Sequence, residues 1–230
     1  MRKLLALGRG PARMEILQGV TGAALTLFLF IHLHLEASVL FGPEAFNTVA
    51  WMLHAGWADP AGVGYGAPVV IAVLGVTLLL VLHVLAVLRR LPGEWRKVKA
   101  LRHHTQVVRH EGTRLWVLQM LSGVAMMILV PIHLVTMLTQ PHSLGAEPSS
   151  LRVVFEGGWL LYLLLLPLAV LHGVAGVTRL WLKWCPYAEP RQQGRRWMRR
   201  VALYLLILGG LSLLMQIYNG LFLFSPSLTG

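Results

Sequence analysis

Cys185 is the only cysteine in this sequence. One thiol can neither close an internal disulfide nor hold an iron–sulfur cluster within the chain. A Cys-x-x-Cys-His site for covalently attached c-type haem is excluded for the same reason. Glycine-rich phosphate and dinucleotide loops are missing as well, so no nucleotide chemistry is indicated. Acidic side chains are scarce, 9 Asp and Glu against 20 Lys and Arg, and only 13% of the 230 residues are charged. The polar connections are too short to fold into a catalytic domain of their own.

Long apolar runs are plentiful. The chain is 56% hydrophobic with a mean hydropathy of +0.66. Five runs reach the length of about 20 residues that a membrane helix requires: Ile16–Phe41, Ala67–Leu88, Leu115–Leu138, Trp159–Trp181 and Val201–Phe224. The first is too long for a signal peptide and has no small-residue cleavage site after it. The expected fold is therefore an all-α integral membrane protein, a five-transmembrane-helix bundle forming a single domain over residues 1–230. The net charge of +11 does not indicate nucleic acid, because of where it lies. Four basic residues precede the first run, eight lie from Arg89 to Arg114 and seven from Arg179 to Arg200. Arg152 alone falls on the opposite side. That bias predicts a cytoplasmic N-terminus and an external C-terminus. The basic face would suit a soluble partner or anionic lipid.

An internal repeat singles out four of the ten histidines. Gln18-x-x-Thr21-Gly22-x-Ala24 leads to Ile31-His32-Leu33, and Gln119-x-x-Ser122-Gly123-x-Ala125 leads to Ile132-His133-Leu134, with the same spacing. Likewise Val81-Leu82-His83-x-x-Ala86 is matched by Val170-Leu171-His172-x-x-Ala175, each followed by Arg-Leu at Arg90 and Arg179. At 1.5 Å per residue, His32 and His133 stand about 24 and 27 Å above the cytoplasmic end of their spans, His83 and His172 about 8 and 14 Å. Two pairs at two depths, one imidazole from each of two helices, suit two bis-histidine b-type haems. Structural or proton-relay histidines in a haem-free transporter or anchor are the alternative.

Neighbouring residues take roles from this arrangement. His34, about 200° around the helix from His32, points to another helix or the outer interface. Glu36 shares the face of His32 one turn further out. It is a candidate proton acceptor for a quinol, or simply a carboxylate at the water boundary. Gly22 and Gly123 lie at the lower level, where they would admit a porphyrin or let helices pack closely. Trp116, Arg114, Lys183 and Trp184 gather at the cytoplasmic interface, as an aromatic belt or as donors to haem propionates. His54 and His142 in external loops, and His103, His104 and His110 in the basic loop, are expected to be solvated or partner-facing.

Together Gln18…His32, His83, Arg109-His110, Trp116, Gln119…His133, Thr139-Gln140-Pro141, Ser149-Ser150-x-Arg152 and Leu171-His172-Gly173…Lys183-Trp184 resemble the dihaem cytochrome b subunit of quinol:fumarate reductase and succinate:menaquinone reductase. The resemblance covers nearly the whole chain. It implies that His32 and His133 ligate a distal haem, and His83 and His172 a proximal one. It further implies that Gln18, Trp116 and Lys183 hold propionates, with Arg152 serving the upper haem. The implied role is a multi-pass anchor in the bacterial inner (cytoplasmic) membrane. It would carry electrons between menaquinone and flavoprotein and iron–sulfur subunits on its cytoplasmic face, and would not act on fumarate alone. A dimer of such heterotrimers stays open. A dihaem cytochrome b of a hydrogenase or formate dehydrogenase is the alternative. One departure stands out: some members carry a glutamate two residues before the His172-type ligand, and here that residue is Val170.

Overall fold

The computed structural model describes residues 2–88, 99, 111–185 and 191–225. Backbone N–H and C=O groups find no water in a bilayer, so apolar stretches of this length satisfy themselves as helices. Five helices are long and apolar enough to cross: Ala12–Phe41, Ala67–Leu88, Gly112–Thr139, Gly158–Trp184 and Gln193–Leu223. They agree with the five expected runs, and most ends shift where polar residues extend a helix past the apolar stretch. The first span is α1 (Arg2–Glu36) with a 3-10 turn, Ala37–Phe41. The others are α3 (Ala67–Leu88), α4 (Glu111–Thr139), α6 (Gly158–Trp184) and α7 (Arg191–Tyr218), the last prolonged by a π-helical turn, Asn219–Leu223.

The connections on the side expected to be external are not plain loops. Each contains a short helix, α2 (Pro43–Leu53) and α5 (Ala146–Phe155). Both start with signals legible afterwards: Pro43 at the first position of α2, and Glu44 and Glu147 where a helix N-terminus favours negative charge. Asn47 of α2 accepts the Ala146 N–H at 2.8 Å, so one helix caps the other. Val39, Phe46 and Ala146 form a small core under this external cap, with Met215 and Phe224 against it.

Packing follows the repeat. α1 lies along α3, α4 along α6, α1 also touches α6, and α7 packs on α6 and on the outer part of α1 and its 3-10 turn. In lipid, close approach rather than water expulsion holds helices together. At Gly209 of α7 an added Cβ would collide with Leu166 Cδ1 at 2.5 Å, which fixes the depth of α7 on α6. Below that contact, Val170 is fully buried among Leu33, Ala202 and Leu205. Outward-facing Leu27, Ile71, Ile128 and Leu214 stay more than half exposed, a surface suited to acyl chains and not to water.

Candidate functional site

The lower pair consists of His83 on α3 and His172 on α6, with ring centres 6.4 Å apart at 82°. The two rings are held by the same device. Thr21 Oγ1 lies 3.1 Å from His83 Nδ1, and Ser122 Oγ lies 3.2 Å from His172 Nδ1. Each hydroxyl already donates its proton to the carbonyl four residues back, Leu17 and Leu118, at 2.7 Å. The hydroxyl oxygens therefore receive the ring N–H. A second acceptor reinforces the arrangement, the Gln119 carbonyl 2.9 Å from His172 Nδ1 and the Gln18 carbonyl at His83. With Nδ1 protonated and anchored, each neutral ring offers the Nε2 lone pair, the usual way a protein orients a ligating histidine. Gly22 and Gly123 stand behind these rings: an added Cβ would meet His83 Cε1 at 3.0 Å and His172 Cε1 at 2.9 Å. Gly22 lines the larger cavity and Gly123 the adjoining one, and both also admit an imidazole, a role the sequence reading did not foresee.

The upper pair brings His32 of α1 to His133 of α4, ring centres 6.1 Å apart at 53°. Phe28 stacks on His32 at 5.5 Å and Tyr162 meets His133 edge-on at 5.6 Å. His133 Nδ1 is buried and meets no protein partner. Glu36, Tyr162 and Arg152 line the same upper space. Arg152, 6% exposed, donates to Gln140 Oε1 at 3.0 Å, Ser143 Oγ at 2.8 Å, the Ser143 carbonyl at 3.1 Å and Ser149 Oγ at 3.3 Å, and bonds Tyr162. All these partners are neutral, so the buried guanidinium can still engage an anion.

A cavity of 630 Å³ runs through the bundle and touches all four histidines. Glu15, Gln18 and Lys183 line the end expected to face the cytoplasm, Glu36 and Arg152 the opposite, outer end. An adjoining space of 300 Å³ is lined by Trp116, Gly123, His83 and His172. A metal–imidazole bond of about 2.0 Å, plus about 1 Å from nitrogen to ring centre, places two opposed imidazoles about 6 Å apart. The observed 6.1 and 6.4 Å fit a metal between each pair. Among the described residues no three His, Cys, Asp or Glu side chains converge. Two side-chain ligands per site suit an iron whose other four bonds come from a macrocycle, and not a bare ion.

The remaining predicted residues divide. Gln18 lines both spaces, and its buried Oε1 has no protein partner. Lys183 reaches the cavity mouth but is paired with Glu15 at 2.6 Å and lies over Trp184 at 5.3 Å. His34 contacts another helix: Nδ1 faces the Phe30 carbonyl at 2.7 Å and Nε2 the Tyr204 hydroxyl at 2.8 Å. His54 overturns the expectation of a solvated ring. It is buried, with Nδ1 2.8 Å from the Ala50 carbonyl and Nε2 2.8 Å from the Pro141 carbonyl, and it clamps the end of α2 to the Thr139–Pro141 turn. His142, exposed, stacks on it at 6.2 Å. His103, His104 and His110 lie outside the described residues. Sequence reasoning missed Ser212, Gln216 and Asn219, all buried. Their i, i+4, i+7 spacing in an apolar span was the signal.

Paired imidazoles inside a bundle of membrane-length helices, without cysteines for thioether attachment, define the class of b-type membrane cytochromes. The family described as "Succinate dehydrogenase/Fumarate reductase transmembrane subunit" matches residues 95–212, and the chain belongs to it. It is 37% identical over 201 residues to the fumarate reductase cytochrome b subunit of Helicobacter pylori strain J99, covering 86% of this chain and 77% of that one. A second Helicobacter pylori strain gives 36% over the same shares. The fumarate reductase cytochrome b subunit of Wolinella succinogenes is 35% identical over 178 residues, covering 76% of this chain and 68% of that protein.

Proposed function

We propose that this chain is the membrane anchor and electron-transfer subunit of a menaquinone-linked fumarate reductase or succinate dehydrogenase in a bacterial cytoplasmic membrane. The observation that carries the reading is the pair of ring spacings, 6.1 and 6.4 Å, at two depths of one cavity. His32 and His133 would hold the outer haem b, His83 and His172 the inner one. When bound, haem supplies the one-electron chemistry that joins a quinol to iron–sulfur and flavoprotein partners. The chain's own residues do the rest. Thr21, Ser122 and the Gln18 and Gln119 carbonyls fix the tautomer of the lower imidazoles and aim them. Gln18, Trp116 and Lys183 would hold inner propionates, Lys183 exchanging Glu15 for one, and Arg152 would hold an outer propionate. The helices exclude water and so keep the local dielectric low. Glu36, the carboxylate of the upper space, would take a proton from a quinol bound beside the outer pair and pass it outward. Val170, sealed among aliphatic side chains, offers no carboxylate to return that proton across the membrane.

A pyridine haemochrome assay on the complex purified with its soluble partners tests this. Two haems b per chain, falling to one in His83→Ala, are expected; a colourless wild-type preparation would refute the proposal. A flavoprotein partner active on succinate is expected, whereas a nickel or molybdenum enzyme would point to the hydrogenase or formate dehydrogenase alternative.

A further inference from the structure

The outer end of the cavity is rich in donors that the reading above leaves unused. Ser212, Gln216 and Asn219 form the polar stripe of α7, at 5%, 5% and 1% exposure, inside a span that is otherwise apolar. Ser212 and Gln216 line the cavity together with Ser149, Arg152 and Glu36. From the Gly209–Leu166 contact, Gln216 rises seven residues and Tyr162 four, so the amide sits about 4 Å above Tyr162. Tyr162 in turn touches His133. Gln216 therefore lies just outside the upper imidazole pair.

Its orientation is fixed from α5. Ser150, fully buried, donates from Oγ to Gln216 Oε1 at 2.6 Å. α5 and the π-turn are pressed together here, since a Cβ at Gly220 would meet the Ser150 carbonyl at 2.6 Å, which holds the serine in place. With Oε1 engaged, the other end of the amide, its NH2, is presented to the cavity. Among the described residues Ser150 is the side chain that meets Gln216. Gln216 lines the cavity, and its NH2 is not among the sealed side-chain atoms left without a partner, so this donor is open to whatever the cavity holds. One turn further out Asn219 is buried with both amide atoms unpartnered, a second polar group on this face that the protein leaves unsatisfied. The cluster offers Arg152 and the Gln216 amide as donors against one carboxylate, Glu36. It is built for a ligand that brings acceptor oxygens.

We infer that Gln216, positioned by Ser150, donates a hydrogen bond to a ligand oxygen at the outer end of the cavity, either a carbonyl or hydroxyl oxygen of a quinone head group or a carboxylate of the outer porphyrin. This rests on the haem reading above. The test uses the complex purified from membranes with its soluble partners, in wild type, Gln216→Leu and Ser150→Ala. It combines optical redox titration of both haems, haem content, and KM and kcat with a soluble naphthoquinol. If the oxygen is the quinol's, KM in Gln216→Leu rises about tenfold, the worth of one lost hydrogen bond, with both haem potentials unmoved. If it is a propionate, the potential of one haem falls, because an unpaired carboxylate favours the oxidised iron, and KM stays. Ser150→Ala, which frees the amide without removing it, moves the same readout less. If Gln216→Leu fails to assemble, Ser150→Ala decides alone. Two haems in wild type, with neither KM nor either potential moved in the variants that assemble, would overturn the inference and leave the haem reading standing. A wild type without haem would remove both.

Discussion

Gly22 and Gly123 stand ten residues before the upper ligands, yet the structure ties both to the lower site, and that permits a pointed test. An alanine at Gly123 would bring its Cβ to 2.9 Å from His172 Cε1 and 3.3 Å from Nδ1, where ordinary contact begins at 3.4 Å. An alanine at Gly22 would stand 3.0 Å from His83 Cε1. Either ring must retreat by about half an ångström, away from hydroxyl and carbonyl anchors already at 2.9 to 3.2 Å. Overpacking of this kind costs about 1–3 kcal/mol, which lowers the affinity for whatever the ring ligates by about 5- to 150-fold. The measurement is haem per chain by pyridine haemochrome in complexes grown with limiting haem, together with low-temperature α-band spectra. Both substitutions should deplete the same haem, the one also lost in His83→Ala, and spare the one lost in His32→Ala. Two full-strength haems in Gly22→Ala and Gly123→Ala, or loss of the outer one, would show that the glycines do not back the ligand rings.

Glu36→Gln should lower quinol oxidation about tenfold or more while leaving both haems bound and reducible by dithionite, as expected for a lost proton acceptor; unchanged quinol turnover would remove Glu36 from the reaction. Because Val170 provides no carboxylate, turnover in proteoliposomes should move charge across the membrane, and an uncoupler should alter its rate. Indifference to membrane potential would count against that. In the outer loop, Asp59 accepts the Gly64, Ala61 and Val63 amides at 2.7 to 3.0 Å. Those bonds, Gly64 first, hold its carboxyl below the ordinary value of 3.8. A carboxylate favoured by folding contributes fully above its unfolded value and is lost as pH falls through the lower folded one. Amide exchange at Gly64 should therefore stay slow through mild acid and quicken only beneath the ordinary carboxylate range. Loosening already near neutrality would contradict the assignment.

What the sequence made legible was whatever the bilayer dictates. Apolar length set the five spans, and the repeat paired His32 with His133 and His83 with His172, whose rings lie 6.1 and 6.4 Å apart. Two helices of one repeat contribute to each pair, so a shared register becomes a shared depth. Features that depend on contacts between distant segments were not legible. His54 reads as a loop residue because the carbonyl that traps it, at Pro141, comes from a different connection. The helices α2 and α5 hide in stretches whose polarity suggests a loop, and they are stable because they cover the bundle's outer end. Lys183 looks free for a propionate because Glu15, its partner, is far away in sequence. The α7 stripe was visible as a pattern, but its meaning depends on Ser150, which no periodicity in α7 can reveal.

Neither half of the repeat owns a complete site: His32 waits for His133, and His83 for His172. During synthesis the outer pair is therefore complete some forty residues before the inner one, which would give a natural order of loading to the haems proposed above. A group held between each pair would act as a rivet joining two hairpins whose mutual attraction in lipid is otherwise weak.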